Sequence, residues 1–282
     1  MADILIKQIE AQLNCKVTHQ QMVGGGCIAQ TSIIHTNNNA SYFLKQGFSG
    51  TMFRKEANGL AELNKAKAIR IPDIVLVDDN FLLLESIETG SKTNSFFTDF
   101  GKAFARLHHY KNASFGFYED NFIGSSPQIN QQADNWTDFY MSNRLLYQFK
   151  MAEQNGYVDA AFRKQFNHIE KLLPKIIDGS DEAPCLLHGD LWGGNYMVDR
   201  GSNPVLIDPA VYYGHREADL AMTKLFGGFS PDFYEAYNEE YPLLVGYKYR
   251  ENIYLLYHVL NHLNLFGTSY KHQAMQLMSS YI

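Results

Sequence analysis

Apolar positions along the chain change their spacing where the predicted architecture changes. In MADILIKQIEAQLN they fall at Ile4, Leu5, Ile9 and Leu13, the interval of one helical face. Strand-like runs follow. Val17–Val23 precedes a cluster of glycines, and Ala29–Thr36 and Ser41–Gln46 flank the Asn-rich turn Asn37–Asn39, a hairpin signal. A helical stretch covers about Phe53–Lys67. Two further strands, Ile74–Asp78 and Phe81–Glu85, are turned through Asp79-Asn80. Up to Glu85 the pattern predicts a small antiparallel sheet with one inserted helix.

From Ser95 the period becomes helical, with Phe96, Phe100, Ala103, Phe104 and Leu107 on one face. Phe115–Gln132 is rich in Gly, Asn, Gln and Ser and reads as an excursion loop. Helices are predicted near Trp136–Asn155 and Asp159–Ile177, then two short strands around the loop in LLHGDLWGGNYMVD…PVLIDPA. Three more follow: Asp219–Phe226, Pro231–Tyr241 and Tyr249–Leu265. The shift near Thr89–Ser91 predicts an α+β chain of two lobes: a small sheet lobe over 1–88 and a larger, mainly helical lobe over 89–282.

Composition narrows the function classes. The 282 residues are 45% hydrophobic and 19% charged, ordinary for one large domain or two lobes with separate cores. Net charge is −6 and no Lys/Arg block stands out, which argues against a nucleic-acid partner. Three cysteines, Cys15, Cys27 and Cys185, form no CxxC pair, so a zinc site or disulfide framework is not expected and a reducing cytoplasm fits. The N-terminal stretch lacks the charged-then-apolar layout of a signal peptide. No apolar run approaches the ~18 residues of a membrane span. The expectation is a soluble, cytoplasmic protein.

Several short stretches carry chemistry. Gly24, Gly25 and Gly26 precede Cys27 between two strands. Glycines there make either a tight turn or a loop whose backbone N–H groups reach phosphate oxygens. The run is neither GxxxxGK[ST] nor GxGxxG, so a P-loop and a Rossmann fingerprint are both unsupported. Cys27 is a small filler or a thiol whose oxidation would distort that loop. Lys45 ends the strand SYFLK, and Glu56 lies eleven residues on in the predicted helix. A strand lysine held by a helix glutamate can engage the α- and β-phosphates of ATP. Glu62 competes for that role; Glu56 is preferred for its distance from Lys45.

HGDLWGGN is the strongest signal. A carboxylate such as Asp190 can orient a hydroxyl and accept its proton, while Asn195, five positions on, can hold magnesium. This is the interval of H-R-D-L-x-x-x-N. Asp208, in LIDPA, is placed to hold magnesium bridging phosphates. His188 reads as a structural brace. Asp219 is either a helix N-cap or a buried brace for the loop. Trp192 is a core aromatic or a face for a sugar or an attached amine. His108, His109 and His215 lack metal-ligand spacing.

GGGC, Lys45, Glu56, LLLESIE, HGDLWGGN and LIDPAVYYGHREADLAM together resemble the fructosamine kinases, or ketosamine-3-kinases, within the aminoglycoside-phosphotransferase and protein-kinase-like superfamily. The resemblance runs from about Met22 to Phe266. It implies a two-lobed fold with ATP and Mg²⁺ in the cleft and phosphate transfer to the 3-hydroxyl of a ketosamine, free or on a protein lysine. By motif it makes Asp190 the proton acceptor, Asn195 and Asp208 the magnesium ligands and Lys45 the phosphate lysine. Glu85, Ser86 and Ile87 would be the hinge whose backbone meets adenine. Family members often read DLWSGN where this chain has Gly193 and Gly194, one hydroxyl fewer here. The alternatives are a kinase of the same fold acting on an aminoglycoside, choline or methylthioribose, and a catalytically silent nucleotide-binding protein. The expected assembly is a monomer or a redox-sensitive homodimer.

Overall fold

The computed structural model describes residues 2–24, 29–47 and 50–282. Helix α1 (Ala2–Leu13) leads into β1 (Val17–Val23), β2 (Gln30–Thr36) and β3 (Ser41–Gln46); α2 (Met52–Lys65) precedes β4 (Ile74–Val77) and β5 (Phe81–Glu85). The five strands form one antiparallel sheet in the order β1-β2-β3-β5-β4. Asn39 turns the β2–β3 hairpin at φ +62°, a conformation asparagine tolerates better than most residues.

Strand alternation divides this sheet between two helices. Phe81 and Leu83 join Ile34, Leu44 and Ile9 in a cluster beneath α1, while Leu82 and Leu84 join Phe53, Ala57 and Leu60 on the α2 side. The period of two that turns Leu44 toward α1 turns Lys45 toward α2, where it is buried.

The helical lobe begins with α3 (Phe96–His108). A hairpin of β6 (Asn121–Ile123) and β7 (Ser126–Gln128) precedes α4 (Trp136–Tyr140), a π-turn (Met141–Leu145), α5 (Leu146–Gln154) and α6 (Ala160–Ile177). Short strands β8 (Cys185–Leu187), β9 (Tyr196–Val198), β10 (Pro204–Leu206) and β11 (Tyr212–Gly214) pair as β8–β11 and β9–β10. Helices α7 (Arg216–Leu225), α8 (Pro231–Glu240), α9 (Tyr247–Phe266) and α10 (Lys271–Ser279) complete the chain. Ile253, Leu256, Leu260 and Leu263 bury α9 in the main core.

Four features depart from the sequence expectation. The Phe115–Gln132 excursion contains the β6–β7 hairpin, pinned by buried amides: Gln128 Nε2 donates to Asn121 Oδ1 at 2.8 Å and to the Ala210 carbonyl at 3.0 Å. Trp136–Asn155 is interrupted by the π-turn, which carries Arg144 into the interior over the Tyr212 ring, 4.0 Å from its centroid. Helix α7 starts at Arg216 rather than Asp219, because both charged residues opening it are buried in ion pairs, Arg216 with Glu182 at 2.6 Å and Glu217 with Arg250 at 2.7 Å. Helix α10 follows the last predicted helix and buries Ala274 and Met278.

Candidate active site

The loop between β8 and β9 carries HGDLWGGN, and its path is set by buried polar contacts. Gly189 sits at φ +82°, where a Cβ would lie 2.0 Å from the Ala210 carbonyl oxygen, so only glycine lets this loop rest on the Asp208–Ala210 segment. Asp219, in the first turn of α7, accepts from the backbone N–H of His188 at 2.7 Å and of Gly189 at 2.8 Å. The N-cap of α7 is His215. His188 is fully buried. Its Nε2 lies 2.9 Å from the Ile207 carbonyl, an acceptor, so Nε2 carries the proton and Nδ1 is free to accept from Asp190 N at 3.2 Å. Burial holds this imidazole below its ordinary pKa, consistent with the neutral ring.

The same contacts bring the three motif residues together. Asn195 Nδ2 donates to the Asp190 carbonyl at 2.8 Å and to Asp190 Oδ2 at 3.1 Å. Asp208, at φ +53°, presents Oδ1 to Lys45 Nζ at 2.7 Å. Lys45 Nζ also meets Glu56 Oε1 at 2.7 Å. Burial would lower the lysine pKa, but the two carboxylates outweigh it and raise it, so this amine is charged. Burial first, and then the neighbouring Asp208 carboxylate, hold Asp190 well above the usual carboxylate range.

Glu62 does not reach Lys45. It is buried on another face of α2, where it accepts from the Tyr213 hydroxyl at 2.7 Å and pairs with Lys65. Glu85 ends β5 with its side chain on Arg70 at 2.5 Å, and Arg70 also holds Asp199 at 2.7 Å, linking the sheet to the end of β9. The Glu85 N–H donates to the Asp73 carbonyl. Ser86 and Ile87 are half-buried, and none of the three lines the cleft around Lys45. Gly24 is exposed at the end of β1; Gly25, Gly26 and Cys27 lie outside the described residues. Cys15 and Cys185 are buried, and burial pushes the Cys185 thiol up to about 12.

The cleft encloses about 420 Å³, within the range of small-molecule sites. It runs from Lys45 and Asp208, past Asp190, to a wall formed by Trp192, Phe226, His262 and Phe266. Trp192 and Phe226 meet edge to face at 5.9 Å. A Cβ at Gly194 would lie 2.4 Å from the Trp192 indole, whereas one at Gly193 would find its nearest neighbour 3.6 Å away. The α9 residues of this wall escaped the sequence reading, because His262 and Phe266 continue a helix whose periodicity is that of a core element.

The donor set suits a hard divalent cation. Asp208 Oδ2 and Asn195 Oδ1 take no hydrogen bond among the described residues, and the Asp190–Asp208 repulsion is relieved by positive charge. No group of three or more His, Cys, Asp or Glu placed to hold a metal exists among the described residues. No helix among them is long and apolar enough to cross a membrane.

The family model for fructosamine kinase matches residues 1–282. The chain belongs to the fructosamine kinase family. It is 38% identical over 277 residues to the chloroplastic protein-ribulosamine 3-kinase of Arabidopsis thaliana, covering 95% of this chain and 83% of the relative. A Thermobifida fusca protein provisionally assigned as a fructosamine-3-kinase superposes with a TM-score of 0.89 at 28% identity, over 98% of this chain and 97% of that one. An ADP-bound aminoglycoside phosphotransferase shares the fold, with a TM-score of 0.64 at 14% identity over 97% of this chain and 96% of the other. The fold is therefore protein-kinase-like, and membership in this kinase family implies the use of ATP.

Proposed function

We propose that this fructosamine kinase family member transfers the γ-phosphoryl group of ATP to a sugar hydroxyl of a ketosamine, the 3-hydroxyl of a fructosamine or ribulosamine, as a deglycation step. The observation that carries the reading is the convergence of Asp190, Asn195, Asp208 and the Lys45–Glu56 pair on one cleft with an aromatic wall beyond them.

On this reading Asp190 orients the acceptor hydroxyl and takes its proton as the bond to phosphorus forms. Its carboxylate is aimed by Asn195 Nδ2 and its backbone N–H by His188 Nδ1, while Asp219 holds the His188 and Gly189 amides just before it. Asn195 Oδ1 and Asp208 Oδ2 would hold Mg²⁺, which when bound neutralises charge on the phosphates. Lys45, kept protonated by Glu56 and Asp208, contacts the α- and β-phosphates. By motif, the backbone N–H groups of Gly24, Gly25 and Gly26 are assigned to the phosphates, and the backbone of Glu85, Ser86 and Ile87 to adenine. Trp192 supports the sugar or its amine. Residues 1–88 act as the nucleotide lobe and 89–282 as the lobe carrying the acceptor. The working compartment on this reading is cytoplasmic, with a monomer or a homodimer sensitive to the redox state of Cys27.

Initial rates of ATP consumption with Mg²⁺ against fructosyl-lysine, ribulosyl-lysine, choline and an aminoglycoside test the proposal, beside an Asp190→Ala control. Selective turnover of a ketosamine that the control loses is the expected result. Turnover of choline or the aminoglycoside alone, or a control at near-normal rate, refutes the reading.

A further inference from the structure

Helix α2 carries Glu56 to Lys45 on one face and is tied to the other lobe on the rest. Lys55 Nζ reaches Glu119 Oε2 at 3.2 Å and also donates to the Asp120 carbonyl, and Asn58 Nδ2 donates to Glu119 Oε1 at 2.9 Å. One carboxylate therefore takes positions i and i+3 of the helix, one oxygen each. A turn further on, Glu62 holds Tyr213 of β11, and between them Gly59 lies so close to the segment after Asp208 that a Cβ would stand 3.3 Å from Val211.

Glu119 is itself anchored. Asn130 donates from its backbone to Asp120 Oδ1 at 2.7 Å and from its amide to the Glu119 carbonyl at 3.1 Å. Its Oδ1 accepts from Arg144, the fully buried side chain that the π-turn turns inward. The chain Arg144–Asn130–Glu119–α2 runs from the interior of the helical lobe to the residue beside Glu56.

We propose that Glu119 is a positioning residue for phosphate transfer: its two-pronged hold on Lys55 and Asn58 sets the rotation of α2, and so delivers Glu56 to Lys45 without any activating event. Sequence spacing explains why one carboxylate suffices, because i and i+3 on a helix lie side by side while Glu56, next to Lys55, projects about 100° away. The proposal rests on the reading of Lys45 as the phosphate lysine.

The test is a double-mutant cycle on the full-length enzyme, with KM for Mg·ATP, KM for the ketosamine, kcat and Tm measured for Glu119→Ala, Glu56→Ala and the double variant. A half-exposed charge-assisted clamp predicts that Glu119→Ala raises KM for Mg·ATP roughly five- to tenfold. KM for the acceptor should stay within about twofold, and Glu119→Ala should add nothing further in the Glu56→Ala background. Asn58→Ala, which removes one prong, gives a smaller shift of the same kind. An unchanged KM for Mg·ATP in Glu119→Ala, or the same rise in both backgrounds, overturns the proposal while leaving the phosphate lysine in place. A Glu56→Ala enzyme with ordinary ATP kinetics overturns the phosphate-lysine reading itself, and Glu119 with it.

Discussion

Asp219→Asn separates holding the catalytic loop from stabilising the fold. The wild-type carboxylate is buried and accepts three bonds: Gly189 N on Oδ1 at 2.8 Å, His188 N on Oδ2 at 2.7 Å and His108 Nε2 on Oδ2 at 3.3 Å. An asparagine has one acceptor oxygen. If that oxygen keeps the two donors on the Oδ2 side, its NH₂ faces the Gly189 N–H, donor against donor. One charge-assisted bond is lost at about 1.5–3 kcal/mol, and the two that remain fall to neutral strength, roughly half. The sum is about 3–6 kcal/mol, a large share of a typical domain's stability of about 5–15 kcal/mol.

At about 2 °C per kcal/mol for a chain of this length, Tm should fall by roughly 6–12 °C. The kinetic effect should be larger in proportion. The loop leaves Gly189 in a position where its Cα faces the Ala210 carbonyl, so relief of the donor clash moves Asp190, and a displacement near 1 Å costs on the order of 10²-fold in kcat. KM for Mg·ATP should change little, because Lys45, Glu56 and Asp208 make no contact with Asp219. Steady-state rates at varied ATP and ketosamine, beside a thermal melt, measure all of these. A variant with lowered Tm but wild-type kcat below its melting range refutes the reasoning and leaves Asp219 a brace of the fold alone.

Two contrasts follow from neighbouring residues. Glu56→Gln removes one of two charged partners from the buried Lys45 amine and should lower kcat/KM for ATP about 10- to 100-fold. Glu62→Gln keeps an acceptor for Tyr213 and loses only the half-exposed Lys65 pair, so its ATP kinetics should match wild type; the reverse order in an ATP titration would reassign the pair. Gly193→Ser meets only ordinary van der Waals contact, with the Gly227 carbonyl 3.6 Å from its Cβ, and should be tolerated, whereas Gly194→Ala drives a methyl into the Trp192 indole and should raise KM for the ketosamine without changing KM for ATP. Equal acceptor kinetics in the two glycine variants would remove Trp192 from the acceptor side.

What could be read from the chain divides along sequence distance. Asp190 and Asn195 lie in one loop, and Asp208 follows them across the short β9–β10 hairpin, so their convergence is nearly a local property and the motif exposes it. The antiparallel sheet is similarly local: each strand pair except β3–β5 is joined by its own turn or by the stretch holding the glycines, and alternation alone places Lys45 opposite Leu44. Glu56 and Glu62 are harder. Six residues separate them, about 240° around a helix, so they must face different surroundings, but which one faces Lys45 depends on Tyr213, whose hydroxyl claims Glu62 from 151 residues away.

The buried charges were illegible for the same reason. Nothing in the sequence marks Arg144, Arg216 and Glu217 as buried, because their burial is made tolerable only by partners far along the chain: Asn130 and aromatic faces for Arg144, Glu182 for Arg216, Arg250 for Glu217. Each moved an element from where hydrophobic periodicity put it: the π-turn in the 136–155 helix, the earlier start of α7. Polar composition misled in the opposite sense at 115–132, where Asn121, Gln128 and Asn130 are buried and bonded to one another rather than solvated. An amide-rich stretch is a loop when water satisfies its donors and a scaffold when its own amides do. Only the fold decides between them, and here the scaffold it makes supports the helix that brings Glu56 to Lys45.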